Sequence, residues 1–225
     1  MRRSVLSSAL LVFVGGSSWA AGPDPFRYAE DRAPSTLNPA FSRSMVDTRL
    51  EELIFEGLFT YDRFLNPAPG LATKLEANED KTKAKVFLRQ GVWHDGKPIT
   101  ADDVVFTVNA LQDKKTKASA QVYVKEIKSV AKLSPTSVEF TFMRPQLQPE
   151  RALMFKVLPK HKFDGPLKRR SEFRLKPVGS GPYKVDKWDG TVLELEENPH
   201  RQVGLPELHA KFIPAKKTQL DMLQY

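Results

Sequence analysis

Apolar residues mark one side of a helix between Ser44 and Leu58: Val46, Leu50, Leu53, Ile54 and Leu58 fall at i, i+4, i+7, i+8 and i+12. Ser44 suits its N-cap with Asp47 three residues on, and Gly57 is the expected exit. The stripe is read as a face turned to the core. Lys85–Arg89 (KVFLR) alternates weakly in strand formers. Val138–Phe142 (VEFTF) alternates cleanly, with Val138, Phe140 and Phe142 on one side. Runs 183–188 and 191–196 flank Asp189-Gly190, a two-residue link that predicts a hairpin. Leu208–Ile213 reads as a further strand. Residues 90–98 form a turn-rich loop, and Thr100 then caps a second helix with Asp103 at its third position. Asp102 and Asp103 point in different directions on that helix, so they are read as caps rather than as an acid–base pair. The chain is therefore mixed α and β.

The N-terminus breaks this pattern. Met1, Arg2 and Arg3 precede an uncharged, largely apolar run from Val5 to Val14, too short to span a bilayer as a helix. Ser18 and Ala20 fit a signal-peptidase site, so residues 1–20 are expected to be a secretory signal peptide with Ala21 as the mature start. Cleavage would remove Arg2 and Arg3 and no acid, trimming the formal charge of +8 by two. Such a basic balance suits a polyanion, but an exported protein seldom meets nucleic acid, and none is expected as a partner. With no cysteine, the fold needs a hydrophobic core without disulfides, and thiol chemistry is excluded. At 40% hydrophobic and 28% charged residues, the composition excludes a disordered tail and a bundle of membrane helices.

Chemical motifs are sparse. His94, His161, His200 and His209 show no metal-ligand spacing. His94 beside Asp95 imitates a dyad, but both are read as exposed polar residues of a turn. Gly179-Ser180-Gly181-Pro182 lacks phosphate-loop spacing, and Pro182 removes a donor that such a loop would use. Lys114, Lys115, Lys117, Lys125 and Lys128 are read as a solvated face. Trp93 is expected to pack under its turn rather than wall a ligand. No metal, cofactor or catalytic residue is expected.

Ordered blocks across the chain carry a resemblance. Tyr28-Ala29-Glu30 and Ser35-Thr36-Leu37-Asn38-Pro39-Ala40 resemble a first strand and an "L-D/N-P" turn. Ile54–Asp62 resembles a "Y-E-G-L…Y-D" helix end, and Pro67–Ala72 a "P-A-L-A" block. Phe87–Leu111 (FLRQGVWHDGKPITADDVVFTVNAL) is close to "F-x-L-R-x-G-V-x-F/W-H-D-G-x-P-x-T-A-x-D-V-V-F-S/T". Val178–Tyr183 resembles "V-G-T-G-P-Y", and Glu197-Asn198-Pro199 resembles "E-R-N-P". In this order the blocks look like a family 5 extracellular solute-binding protein, a periplasmic receptor of ATP-binding-cassette (ABC) importers for oligopeptides, dipeptides or nickel.

The resemblance implies an α/β fold of the periplasmic-binding-protein-like type II. Residues 21–62 and 172–225 would form part of the first lobe, and 63–171 its extra α/β subdomain. The matching ends at Thr218–Tyr225, so the expected chain is an incomplete first lobe with the second lobe missing, leaving an open sheet edge. The implied function is the periplasmic substrate-binding component of an ABC importer, with no enzymatic activity. It would be a monomer that captures an oligopeptide, a dipeptide or a similar small solute and delivers it to permease subunits in the inner membrane. A truncated, non-binding remnant is the alternative, and a secreted hydrolase is a third reading. By position the cleft floor of peptide-binding relatives maps to Ala33, Pro34, Ser35 and Thr36, where backbone would pair with an extended peptide. Pro34 lacks one ladder donor. An aromatic contact from the extra subdomain maps to Tyr123.

Overall fold

Strand alternation and helix capping build two sheets and two main helices in the computed structural model, which describes residues 24–201 and 204–212. The expected signal peptide, the end of the Leu208–Ile213 run and the Thr218–Tyr225 segment lie outside the described residues. In chain order, β1 (Phe26–Glu30) leads to α1 (Met45–Ile54) and then to a ribbon of β2 (Phe59–Tyr61) and β3 (Pro67–Pro69). Next come β4 (Ala72–Ala77), β5 (Lys83–Leu88), α2 (Ala101–Gln112), β6 (Ile127–Ser134) and β7 (Ser137–Phe142). A long stretch of loops and short 3-10 turns reaches β8 (Tyr183–Trp188), β9 (Val192–Glu197) and β10 (Leu208–Phe212). One sheet runs β4-β5-β7-β6, antiparallel throughout. The other runs β1-β10-β9-β8, with β1 parallel to β10 and the remaining pairs antiparallel.

The alternation at β7 does what it predicts: Val138, Phe140 and Phe142 are buried, as are Ala84, Val86 and Leu88 of β5 and Val104, Val108 and Leu111 of α2. Thr100 N–H donates to Asp103 Oδ2 at 2.8 Å, the reciprocal half of a capping box. Asp103 also accepts from Lys160 N–H at 2.8 Å, and Leu158 N–H donates to Thr107 Oγ1 at 2.9 Å, so α2 is tied to the 158–160 loop.

Two boundaries differ from expectation. Helix α1 ends at Ile54, not at Gly57. The reason is a tertiary contact: Ile54 C=O accepts from Ser180 N–H at 3.1 Å and Gly181 N–H at 2.9 Å, so the chain turns extended at Phe55. Gly57 instead bridges Lys156, where a Cβ would lie 2.9 Å from the Phe155 carbonyl oxygen. The β8–β9 turn is centred on Gly190-Thr191, one residue later than expected. Asp189 follows the end of β8, its N–H directed at Val192 C=O at 3.4 Å. Its Oδ1 accepts from Thr191 and Val192 N–H, each at 2.7 Å.

His94 departs most from its reading as an exposed turn residue, because it is only 6% exposed. Its Nδ1 accepts from Gly179 N–H at 3.1 Å, so the ring proton sits on Nε2 and donates to Gly181 C=O at 3.1 Å. His94 N–H meanwhile donates to Gly179 C=O at 2.9 Å. Burial, more than any neighbouring charge, pushes this imidazole from 6.5 down to about 4. Protonating Nδ1 would also break the Gly179 bond. The unfolded chain binds that proton near pH 6.5 and the folded chain near 4, so His94 contributes its stability above 6.5 and loses it as pH falls towards 4, by about 3 kcal/mol. Replacing His94→Gln should cost about 2–3 kcal/mol at neutral pH by stranding Gly179 or Gly181. It should also flatten the fall in stability between pH 6.5 and 4, as read by urea denaturation across that range.

Candidate functional site

The loop after β1 carries the residues singled out for ligand contact, and one carboxylate organises it. Asp47, in the first turn of α1, is fully buried. It accepts from Ser35 N–H at 2.7 Å, Ser35 Oγ at 2.8 Å, Arg43 N–H at 2.9 Å and Ser44 N–H at 3.1 Å. Ser44 Oγ in turn accepts from Asp47 N–H at 3.1 Å, closing the expected capping box. Burial pushes the Asp47 carboxyl up, but these donors outweigh it and hold the group below its usual range. Between the pinned ends, Asn38 N–H donates to Thr36 Oγ1 at 3.0 Å, and Asn38 Oδ1 caps the 3-10 turn Pro39–Phe41. Leu37 N–H donates to Arg174 C=O at 2.9 Å, anchoring the loop to the segment that precedes β8.

The four residues of this loop sit in unlike places. Ala33 and Ser35 are exposed, Pro34 is half-buried and Thr36 is buried. Ser35 and Thr36 come together on a cavity of about 470 Å³ with Phe41, Arg43, Arg169, Arg170 and Arg174. The Ser35 amide is spent on Asp47 and Pro34 has none. The amides of Ala33 and Thr36 have no partner among the described residues, but they are three positions apart. A strand ladder, with its period of two, does not use that spacing. Tyr123 lies elsewhere, 59% exposed in the 3-10 turn Ser119–Val124. It borders a tighter cavity of about 250 Å³ that also touches Pro39, Ala40, Glu51, Tyr61, Arg151 and Lys156. The Pro39–Phe41 turn separates the two hollows.

Glu51 escaped the sequence reading because it lies one helical position from the apolar stripe. It is 6% exposed, and its Oε1 meets no hydrogen-bond donor among the described residues. Burial first, and the Asp47 charge second, raise its carboxyl to about 8, while Lys156 opposes the shift. Lys156 itself pairs with Glu52 at 2.6 Å.

No His94–Asp95 dyad exists, since both ring nitrogens of His94 are held by backbone. Asp95 pairs with His161 Nε2 at 2.8 Å and Lys162 Nζ at 2.9 Å. Against a burial cost, those two bonds bring its carboxyl down to about 2. Trp93 is buried under its turn, as read. Lys114, Lys115, Lys117, Lys125 and Lys128 are exposed. Among the described residues no His, Asp and Glu side chains gather as a metal site, and no helix is long and apolar enough to cross a membrane.

The model of the bacterial extracellular solute-binding proteins, family 5 (middle region), matches residues 66–225. The oligopeptide-binding protein AppA of Bacillus subtilis is 31% identical over 85% of this chain, which spans 37% of that protein's length. A solved structure of AppA from that organism in complex with a nonapeptide superposes with a TM-score of 0.78 at 29% identity, covering 86% of this chain and 40% of that one. NikZ of Campylobacter jejuni, solved in complex with Ni(L-His), gives 0.76 at 33% identity over 84% of this chain and 39% of its own. The fold is accordingly α/β of the periplasmic-binding-protein-like type II, corresponding to part of such a structure.

Two substitutions probe the site. Asp47→Ala should leave four donors without their acceptor and lower unfolding free energy by about 2–4 kcal/mol in urea titrations. Glu51 holds its proton to about pH 8 when folded but ionises near 4.5 when unfolded, so its contribution is complete below 4.5 and drains as pH rises through 8. Glu51→Gln should raise the melting temperature by about 2–6 °C at alkaline pH and leave it unchanged in acid, as read by calorimetry.

Proposed function

Since the chain belongs to the family 5 bacterial extracellular solute-binding proteins, we propose that it is the solute-capturing component of an ABC importer, holding a short peptide or a similar small solute outside the cytoplasm and passing it to permease subunits in the inner membrane. The carrying observation is the family match over residues 66–225. Residues 1–20 direct export in this reading, and the working location is the periplasm. Residues 21–62 and 172–225 belong to the first lobe, and 63–171 form its extra subdomain. Support comes from the separate sheets of β1 with β8–β10 and of β4–β7. The β2–β3 ribbon straddles the division at residue 62.

Ala33, Pro34, Ser35 and Thr36 contribute one wall of the ligand site and Tyr123 another. Asp47 would hold the first wall in place before ligand arrives, which lowers the ordering cost of binding. No bond is made or broken in the solute. The protein's work is to desolvate one face of it and keep it oriented, while the energy for transport comes from elsewhere.

Isothermal titration of the mature full-length protein, without residues 1–20, with short peptides, a nickel–histidine complex and sugars tests this. Saturable heat with at least one of them is expected, weakened by Tyr123→Ala. No heat with any of them would overturn the reading in favour of a non-binding protein.

A further inference from the structure

Arginines elsewhere in the described residues are commonly neutralised by a carboxylate. Arg49 forks onto Glu30 at 2.8 and 2.7 Å, and Arg144 onto Glu126 with both bonds at 2.9 Å. Arg89 and Arg201 share Glu56 at 2.7 and 3.0 Å. The cavity beside Ser35 and Thr36 is different. Arg43, Arg169, Arg170 and Arg174 border it, and no aspartate or glutamate does. None of these four pairs with a carboxylate among the described residues.

The backbone of Arg43 and of Arg174 is held firmly although their charges are not paired. Arg43 N–H is fixed by Asp47 at 2.9 Å, and Arg174 C=O receives Leu37 N–H at 2.9 Å. Buried Phe173 plants the arginine-bearing loop against Phe163, with ring centroids 4.7 Å apart. The fold thus lines one hollow with four arginines and sets against them the Asp47 carboxylate bonded to Ser35 and the Arg43 amide, so their repulsion is offset only in part. Guanidinium forks match carboxylate oxygens bidentately. A hollow of about 470 Å³ suits a small molecule rather than a flat macromolecular surface.

We propose that this cavity binds the carboxylates of an acidic solute, so that the receptor prefers a ligand carrying more than one negative charge. The proposal rests on the receptor reading and adds the ligand class to it. Thr36, whose amide has no partner among the described residues, borders the same cavity and supplies a further donor.

Titration calorimetry of the same mature full-length protein with triglutamate, trialanine, trialanine amide and trilysine tests it, at low ionic strength and at about 0.15 M salt. Triglutamate should bind at least about tenfold more tightly than trialanine, with trilysine weakest and the preference narrowing in salt. The exposed pair Arg169→Gln/Arg170→Gln should weaken triglutamate by about tenfold, and trialanine by less, while leaving the melting temperature unchanged. Arg43→Gln should act in the same direction. A drop from trialanine to its amide would assign part of the site to a peptide's terminal carboxylate, and no drop would assign it to side-chain carboxylates; either outcome supports the carboxylate site. Equal affinity for triglutamate and trialanine, or full triglutamate affinity in the double variant, would overturn the proposal and leave the receptor reading standing. Failure of every peptide, nickel–histidine and sugar to bind would instead overturn the receptor reading.

Discussion

A neutral imidazole clamped between two glycine peptides holds the molecule together. His94 accepts a hydrogen bond from Gly179 N–H on one edge and donates one to Gly181 C=O on the other, while Ile54 C=O accepts from the amides of Ser180 and Gly181. Asn198 Nδ2 adds a second bond to Gly181 C=O at 2.8 Å. Four stretches remote in sequence therefore meet within a few ångströms. Only glycine fits at 179 and 181, because a Cβ at either position would run into the carbonyl at the end of α1. Each polar group at the crossing is paired in a single protonation state. That is why so buried a histidine is tolerated, and why its charge is excluded.

Fixing the C-terminal end of α1 sets what its other end can do. The helix is ten residues long, with the glycine crossing at Ile54 and the Asp47 carboxylate near its start. Asp47 gathers the Ser35 and Arg43 amides, so the loop bearing the candidate ligand residues is held by the same rigid element that the crossing immobilises. Glu51 lies between them with one oxygen unpaired, bordering the smaller cavity. In the proposed receptor role, a wall ordered beforehand would lower the cost of binding; α1 borders the smaller hollow through Glu51 and pins the loop at the other through Asp47.

Local chemistry was legible in the chain wherever it depends on neighbours in sequence. Ser44 with Asp47 and Thr100 with Asp103 are capping signals that need three residues of context, and both form. The alternation of Val138, Phe140 and Phe142 specifies a half-buried strand, and it is one. The block order from Tyr28 to Pro199 was enough to identify the family. Structure and local signal part where a distant partner overrides the neighbours in sequence. Gly57 looked like a helix exit, but the peptides of residues 180 and 181 stop the helix earlier by capturing the Ile54 carbonyl. His94 looked like an exposed turn residue because nothing near it in sequence reveals the slot between Gly179 and Gly181. The β8–β9 link takes in Thr191 as well as Asp189-Gly190, since the Asp189 side chain accepts the amides of Thr191 and Val192.

The chain by itself determined the element types, the capped helix starts, the hairpin and the family, because period, capping and turn preference act over a few residues. Tertiary structure alone decided which charges meet. Arg43 and the Arg169–Arg174 segment are more than a hundred positions apart, and only the return of the chain past Leu37 brings them to one hollow. It also decided which carboxylate is satisfied. Asp47 and Glu51 lie one helical turn apart on the same element, yet the first meets four donors and the second leaves an oxygen without one. Burial and partnership of a charge depend on everything packed around it, and a linear sequence does not carry that sum.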